Sequence, residues 1–138
     1  MMPTMKFPGK FESLPAISDF VTQIAREAGL DSKEVYAVEL AVDEACTNII
    51  EHAYREMYSG EIVCSCQPVK KGLKIVLRDR GKSFDPEVVP DPDLNLPIEE
   101  VSARGAGLFL MRKMMDEVEF TFDPVNGNVL TMVKHKAE

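Results

Sequence analysis

Two strand-like runs in the middle of the chain constrain its fold more than any other feature. Residues 61–69 read EIVCSCQPV and residues 72–80 read GLKIVLRDR, and apolar residues largely alternate with others along both. A period of two is typical of a strand that packs one face on a core. Lys70, Lys71 and Gly72 supply a turn between the runs, which predicts a β-hairpin. At least part of the sheet is therefore expected to be antiparallel.

Periodic segments on either side of this hairpin predict three helices and three more strands. KFPGKF, residues 6–11, is a candidate edge strand, because Pro8 limits its pairing. Residues 117–123 and 128–136 predict a closing hairpin across a Pro-Val-Asn-Gly turn. The helices are expected from Ser13, a candidate N-cap, to Ala28, from Asp31 to about Gly60, and over residues 105–117.

The first two helices carry residues that are typical of helix boundaries. Gly29 stands where a left-handed residue commonly ends a helix, and Asp31 and Glu34 have the spacing of a capping box. One side of the first helix is apolar and is expected to pack on the core: Ile17, Phe20, Val21, Ile24 and Ala28.

The order of the elements predicts the fold class. Strand, helix, helix, strand, strand, long loop, helix, strand, strand contains consecutive strand pairs, so the sheet is expected to be mixed and mostly antiparallel. Three helices would cover one face of this sheet, giving an α/β (α+β) two-layer sandwich. The 138 residues, of which 45% are hydrophobic and 28% charged, suffice for one core. We therefore expect a single domain over residues 1–138.

Charge and cysteine content argue against several functional classes. The formal net charge is −7 and no Lys/Arg-rich arm is present, which disfavours direct nucleic-acid binding and adsorption to an anionic membrane. No signal core or membrane-spanning stretch is visible. Cys64 and Cys66 would point in parallel from one strand, an unsuitable arrangement for a disulfide, and only two histidines are available for a metal site. We expect reduced core cysteines in a cytoplasmic protein.

A line of polar side chains follows the second, mostly apolar helix. In DEACTNIIEHAY, residues 43–54, Glu44, Asn48 and His52 are spaced by four and would lie on one side of the helix. The Glu44 carboxylate is suited to accept a proton, and the Asn48 amide oxygen suits a hard cation such as Mg²⁺. The alternative interpretation is a solvated polar face, in which His52 is an ordinary helix residue.

Two glycine-containing segments provide further candidate residues. DRGKSFDP places Asp79 at the end of a strand, where its carboxylate can accept a hydrogen bond from an adenine amino group, and Gly81 allows close approach. ARGAGLFLMRKMM places Gly105 and Gly107 at the start of a helix, where backbone N–H groups and the helix dipole attract phosphate. The alternatives are an ordinary Asp/Gly turn and a flexible loop before a helix.

A long loop separates these two segments. Residues 82–103 contain four prolines and little periodicity, and loops of this length are usually functional or disordered. The chain thus presents, in order, an acid/amide helix, an Asp-x-Gly strand end, a loop and a glycine-led helix. These are the parts of an ATP site, with the loop as its lid.

These segments resemble the GHKL ATPase superfamily, which has the Bergerat ATP-binding fold, and within it the small bacterial anti-sigma-factor serine/threonine kinases. DEACTNIIEH is similar to the N box of that family, DRGKSFDP to its first glycine box and RGAGLFLM to its second. The terminal GNVLTMVK is similar to the final strand of the kinase branch. The resemblance extends from about Leu14 to Lys136 and implies a histidine-kinase-like ATPase domain with a lid at about residues 82–104.

The resemblance implies a function for each matching residue. Glu44 would be the catalytic base, Asn48 would bind Mg²⁺, and Asp79 would recognise adenine. The glycines that would shape the ATP pocket are Gly81, Gly105 and Gly107. The implied reaction transfers the γ-phosphate of ATP to a serine of a STAS-domain anti-anti-sigma partner. A homodimer that sequesters a sigma factor is implied as well.

Two features depart from the family pattern. The first glycine box often reads Asp-x-Gly-x-Gly, but its last position here is Ser83, which bears on how the lid hinges. The lid also holds six acidic residues and no basic residue between Lys82 and Arg104, so it would repel a triphosphate unless its carboxylates point outward. Arg104 is then the cation expected near the phosphates, and a solvated surface arginine is the alternative.

The sequence predicts an ATP–Mg²⁺-dependent protein serine kinase, and two other classes stay open. A nucleotide-gated binding module that sequesters a regulator would need Asp79 and the glycines but not Glu44. The ATP-binding half of a split sensor histidine kinase would need a phosphoacceptor histidine in a partner chain.

Overall fold

The computed structural model describes residues 2–53, 60–81, 106–125 and 127–137. Five strands and three α-helices occur within these ranges. The strands are β1 (Thr4–Pro8), β2 (Glu61–Val69), β3 (Gly72–Asp79), β4 (Glu117–Asp123) and β5 (Gly127–His135). The helices are α1 (Leu14–Glu27), α2 (Ser32–Asn48) and α3 (Ala106–Met114). No helix in the described ranges is both long enough and apolar enough to cross a membrane.

The strands form one sheet in the order β1-β2-β3-β5-β4. Both predicted hairpins, β2–β3 and β4–β5, are confirmed, and β1 is the predicted edge strand. The prediction allowed a mixed sheet, but every pairing among the described strands is antiparallel. The sequence pattern did not show that β5 lies between β3 and β4, because that pairing joins strands that are not consecutive.

The core lies between the sheet and a single layer of helices, as the two-layer prediction requires. Buried side chains that face the helices from the three central strands are Ile62, Cys64, Cys66, Leu73, Ile75, Leu77, Leu130 and Met132. The helices contribute Ile17, Val21, Val38, Val42, Cys46 and Met111. All three cysteines are reduced and buried, as predicted. The helix-facing row of β3 ends at Asp79, which is buried with the apolar residues before it.

The start of α1 differs from the prediction. Ser13 occupies the N-cap position at the end of a short 3₁₀ turn, Phe11–Ser13, but its side chain caps no helix N–H group. Its hydroxyl instead donates a 2.7 Å hydrogen bond to the carbonyl of Pro8. The 3₁₀ turn places Ser13 in a helical conformation, whereas a capping serine needs an extended one. Ser13 therefore joins α1 to the end of β1.

The start of α2 matches the prediction and holds the end of the chain. Gly29 has φ of +91°, and the Asp31 and Glu34 side chains each accept a 2.8 Å hydrogen bond from the other residue's backbone N–H group. The second carboxylate oxygen of Glu34 accepts a hydrogen bond from the Ala137 N–H group. Glu34 thus links Asp31, the first residue of this capping box, to Ala137, which follows β5.

The C-terminal end of α2 contains a feature that the sequence did not predict. Regular α-helix ends at Asn48, and Ile49–Ala53 continues as a π-helical turn. A π-turn has more residues per turn than an α-helix, so it changes the angular spacing of the residues after Asn48. Such turns are frequent at functional sites. The predicted end of this helix near Gly60 falls on residues 54–59, which are outside the described ranges.

Candidate functional site

The predicted site residues of α2, α3 and β3 lie toward one end of the sandwich. Glu34 at the start of α2 contacts Ala137, which follows β5. Helix α2 therefore starts at the end of the sandwich where β5 finishes and runs toward the opposite end. Lys134 near the end of β5 donates a 2.8 Å hydrogen bond to the carbonyl of Met114, so α3 finishes where α2 starts. The last turn of α2, the first turn of α3 and the end of β3 consequently share the other end.

Glu44 and Asn48 of α2 meet Gly107 of α3 at this end. A β-carbon built on Gly107 would lie 2.6 Å from Oε2 of Glu44 and 3.8 Å from Oδ1 of Asn48. A separation of 2.6 Å is closer than real β-carbons approach, so only glycine fits without a shift of the Glu44 carboxylate. The structure therefore brings together three of the residues that the sequence singled out.

The chemistry of this group suits a phosphate and its cation. Glu44 and Asn48 present hard oxygen atoms, and Mg²⁺ commonly takes one or two protein oxygens while water and substrate phosphates complete its coordination. Within the described ranges no three His, Cys, Asp or Glu side chains cluster as a metal site. The first turn of α3 adds backbone N–H groups and the positive end of a helix dipole.

The environment of Glu44 makes its carboxylate more basic. Burial is the largest cause of its raised pKa, and the negative charges of Asp43 and Glu51 raise the pKa further. A raised pKa strengthens a carboxylate as a proton acceptor. The contacts Lys134–Asp116 and His135–Glu117 do not involve Glu44.

Asp79 is fixed by a set of hydrogen bonds at the end of β3. Its Oδ1 atom accepts a 3.0 Å hydrogen bond from the Gly81 N–H group and a 2.8 Å hydrogen bond from Nδ2 of Asn128. No described residue donates to Oδ2. Burial raises the pKa of Asp79, while the Asn128 and Gly81 hydrogen bonds act in the opposite direction. Asp79 and Gly81 thus belong to one local structure, as their spacing suggested.

Asn128 is a site residue that the sequence analysis missed. It lies on β5 directly opposite Asp79 on β3. The segment GNVLTMVK indicated a strand, but the hairpin pattern paired that strand only with β4. Knowledge that β5 also pairs with β3 would have placed the first polar residue of β5 beside Asp79.

Several predicted site residues fall outside what the structure describes. Arg104, Gly105, Ser83 and the lid at about 82–104 are outside the described ranges, and the His52 side chain is not described either. The predicted functions of these residues stay predictions.

Comparison with known proteins agrees with the fold. A family profile described as histidine kinase-like ATPase domain matches residues 7–134. The serine-protein kinase RsbW of Bacillus cereus is 33% identical over 135 residues, which cover 95% of this chain and 82% of that protein. The serine-protein kinase RsbW of Halalkalibacterium halodurans is 34% identical over 134 residues, covering 94% and 80%.

Solved structures share the fold at low sequence identity. The RsbU and RsbW domains of a Mycobacterium tuberculosis protein superpose with a TM-score of 0.69 at 15% identity, covering 98% of this chain and 32% of that one. The histidine kinase domain of a blue-light activated histidine kinase from Erythrobacter litoralis gives a TM-score of 0.55 at 17% identity, covering 94% and 61%. The predicted two-layer fold and GHKL-type resemblance are confirmed. The chain belongs to the histidine kinase-like ATPase family, and serine-protein kinases of the RsbW type are its relatives in sequence.

Proposed function

We propose that this protein is an ATP-dependent protein serine kinase of the anti-sigma type. Its relatives in sequence are serine-protein kinases. One observation carries the proposal at the level of residues. Glu44 and Asn48 touch Gly107 at the start of α3, so a basic carboxylate and a neutral amide oxygen border a helix N-terminus. A proton acceptor beside an anion-binding helix end is what phosphoryl transfer to a hydroxyl group requires.

In this proposal each residue has a distinct task. As a serine Oγ of the partner bonds to the γ-phosphorus, Glu44 takes the hydroxyl proton, the bond to the β–γ bridging oxygen breaks, and ADP leaves. The amides of the first turn of α3 stabilise charge on the transferred phosphoryl group. Asp79 accepts a hydrogen bond from the adenine amino group through Oδ2.

A divalent cation belongs to the proposal as well. Asn48 Oδ1 would hold Mg²⁺, which when bound neutralises charge on the phosphate oxygens. Glu44 is thereby left to act on the proton. Two residues outside the described ranges also belong to the proposal. Gly105 would let the backbone approach the phosphates closely, and Arg104 would bind the phosphates through its positive charge.

The partner chemistry follows from the same family. We propose that the acceptor serine lies in a STAS-domain anti-anti-sigma protein and that the kinase also sequesters a sigma factor. We further propose a cytoplasmic homodimer whose protomer is one domain over residues 1–138, with residues 82–104 as its ATP lid. Direct contact with nucleic acid or membrane is not part of this proposal, since the net charge is −7.

The first test is ATP binding by calorimetry with and without Mg²⁺. We expect Mg²⁺-dependent binding to the wild type and a loss of about 10- to 100-fold in affinity for Asp79→Asn. An amide has one acceptor oxygen, whereas Asp79 would use one oxygen for Gly81 and Asn128 and the other for the adenine amino group. Asp19→Asn, the same change at an exposed position of α1, is the matched control. A folded wild type that binds no ATP would overturn the proposal.

The second test is transfer from γ-labelled ATP to a STAS-domain protein. Glu44→Gln is expected to lower the rate by about 10²- to 10⁴-fold, the usual contribution of a general base, with ATP binding largely retained. ATP binding without transfer by the wild type would instead favour a nucleotide-gated binding module. Undiminished transfer by Glu44→Gln would remove Glu44 as the base.

A further inference from the structure

We propose that Asn128 is the positioning residue that makes the base site selective for a 6-aminopurine over a 6-oxopurine. The proposal rests on the ATP site described above and adds a determinant to it. Asn128 would act through Asp79 rather than by contact with the base.

Asn128 closes a ring of hydrogen bonds around the carboxylate. Its Nδ2 atom donates to Oδ1 of Asp79 at 2.8 Å and to the carbonyl oxygen of Gly81 at 3.0 Å. The Gly81 N–H group donates to the same Oδ1 atom at 3.0 Å. Two donors, one on β5 and one just after β3, therefore fix a single carboxylate oxygen.

The chemistry of this ring determines which way the Asn128 amide points. Oδ1 of Asp79 and the Gly81 carbonyl are both acceptors, and both face the same side-chain atom of Asn128. Only an NH₂ group can satisfy two acceptors, whereas the reversed amide would place its own oxygen against both of these oxygen atoms. An aspartate at this position would be unfavourable for the same reason.

The chain backbone is shaped to bring Asn128 this close. Gly127, the residue before it, has φ of +82°, and a β-carbon there would lie 2.4 Å from the carbonyl oxygen of Asp79. A side chain at Gly127 would push the start of β5 away from the end of β3. The Gly-Asn pair is therefore needed as a unit to hold Asp79.

The two carboxylate oxygens of Asp79 differ in the hydrogen bonds that they accept. Oδ1 receives two hydrogen bonds, while no described residue donates to Oδ2. Rotation of the carboxylate would break both hydrogen bonds to Oδ1, so the plane and the direction of Oδ2 are fixed. An acceptor in a fixed direction favours an amino group and disfavours a carbonyl oxygen, which would face it with like charge.

The test compares three nucleotides by calorimetry in the presence of Mg²⁺: ATP, inosine triphosphate, which has a 6-oxo group, and purine riboside triphosphate, which has neither group. For the wild type we expect ATP to bind about 10- to 100-fold more tightly than either analogue. For Asn128→Leu, which keeps the side-chain size but cannot donate, we expect this ratio to fall at least about fivefold. Thr131→Val, on the opposite face of β5, should keep the wild-type ratio.

The ratio separates positioning from a general structural effect. Loss of folded protein lowers binding of all three nucleotides equally and leaves the ratio unchanged. Asn128→Ser, which keeps one donor, serves as a second variant and should give an intermediate ratio.

Three results would overturn the inference. One is equal binding of ATP and inosine triphosphate by the wild type, which needs no variant. The others are a wild-type ratio in folded Asn128→Leu and a wild-type ratio in folded Asn128→Ser. Absence of all nucleotide binding by the wild type would be a different result, since it contradicts the kinase proposal itself.

Discussion

At the scale of single residues, the candidate site combines a partly buried carboxylate with a glycine that leaves room for it. Glu44 is half-buried beside two other acids, and these surroundings raise its pKa. Gly107 has no side chain, and the Glu44 carboxylate occupies the space that a side chain would take.

The pH dependence of transfer provides the first prediction. Glu44 must be ionised to accept a proton, so activity should fall as the pH drops through its raised pKa. Glu51→Gln removes one of the negative charges that raise this pKa. The acid limb of the pH–rate profile is therefore expected to move to lower pH. Initial rates across the acid range measure the shift, and Glu27→Gln, an exposed change at the far end of α1, is the control. If the wild type, Glu51→Gln and Glu27→Gln have the same acid limb, Glu51 does not raise the pKa of Glu44.

Gly107→Ala is expected to damage activity more than stability. The added methyl group would meet the end of the Glu44 side chain, which can move, so the fold should persist. Displacement of the carboxylate by about 1 Å can cost about 100-fold in rate. Gly127→Ala provides the contrast, because its β-carbon would meet backbone at a positive φ and should cost about 1–3 kcal/mol of stability. Transfer assays and thermal melts of both variants test this division. A Gly107→Ala protein with full activity would contradict the contact.

At the scale of elements, α2 connects the two ends of the sandwich. Its first turn is joined to the C-terminal residues through Glu34, and its last turn presents Glu44 and Asn48. The π-turn Ile49–Ala53 then changes the helical geometry directly after Asn48. The position of the site residues therefore depends on how firmly the start of α2 is held.

Glu34→Ala should be among the more destabilising substitutions of an acidic residue. It removes half of the capping box and the acceptor for Ala137, which together predict a loss of about 1–3 kcal/mol in the free energy of unfolding. Glu39→Ala, an exposed acid of the same helix, should change it by less than about 0.5 kcal/mol. Denaturant titration compares the two, and equal effects would mean that neither the capping box nor the contact with Ala137 contributes to stability.

Local signals in the sequence predicted most elements and part of the site. Alternation and turn residues located both hairpins, and the spacing of Asp31 and Glu34 located the start of α2. Other features escaped, among them the hydrogen bond of Ser13, the π-turn after Asn48 and the contact of Asn128 with Asp79. Ser13 was expected to cap α1, but a 3₁₀ turn and the Pro8 carbonyl determine its hydrogen bond. Asn128 meets Asp79 only because β5 pairs with β3, which no short pattern reveals.

At the scale of the whole molecule, three thiols mark the interface between the two layers. Cys46 comes from α2, and Cys64 and Cys66 come from β2; all are buried. Burial, followed by the charge of Asp43, raises the pKa of the Cys46 thiol to about 12. The hydrogen bond to Cys66 and burial also raise the pKa of Cys64. The reactive thiolate form is thus suppressed along with access.

These thiols should report on global unfolding. Ellman's reagent should modify none of them quickly in the native protein and all three in denaturant, because reaction requires the layers to separate. Saturating ATP and Mg²⁺ at about 100 times the dissociation constant should slow modification about 100-fold if opening is global and ATP binds only the folded state. Fast native modification of any one cysteine would contradict this prediction and indicate a local opening.

The directions in which the chain enters and leaves the sheet have a practical consequence for immobilised assays. The carbonyl of Pro3 accepts a hydrogen bond from Cys66, and β1 then runs toward the Asp79 end. The N–H group of Lys136 donates to Lys71 in the β2–β3 turn, at the opposite end from Asp79. A tether attached after Lys136 would therefore anchor the molecule with its Asp79 end pointing away from the surface. Partner proteins delivered in flow could then reach that end without competition from the support.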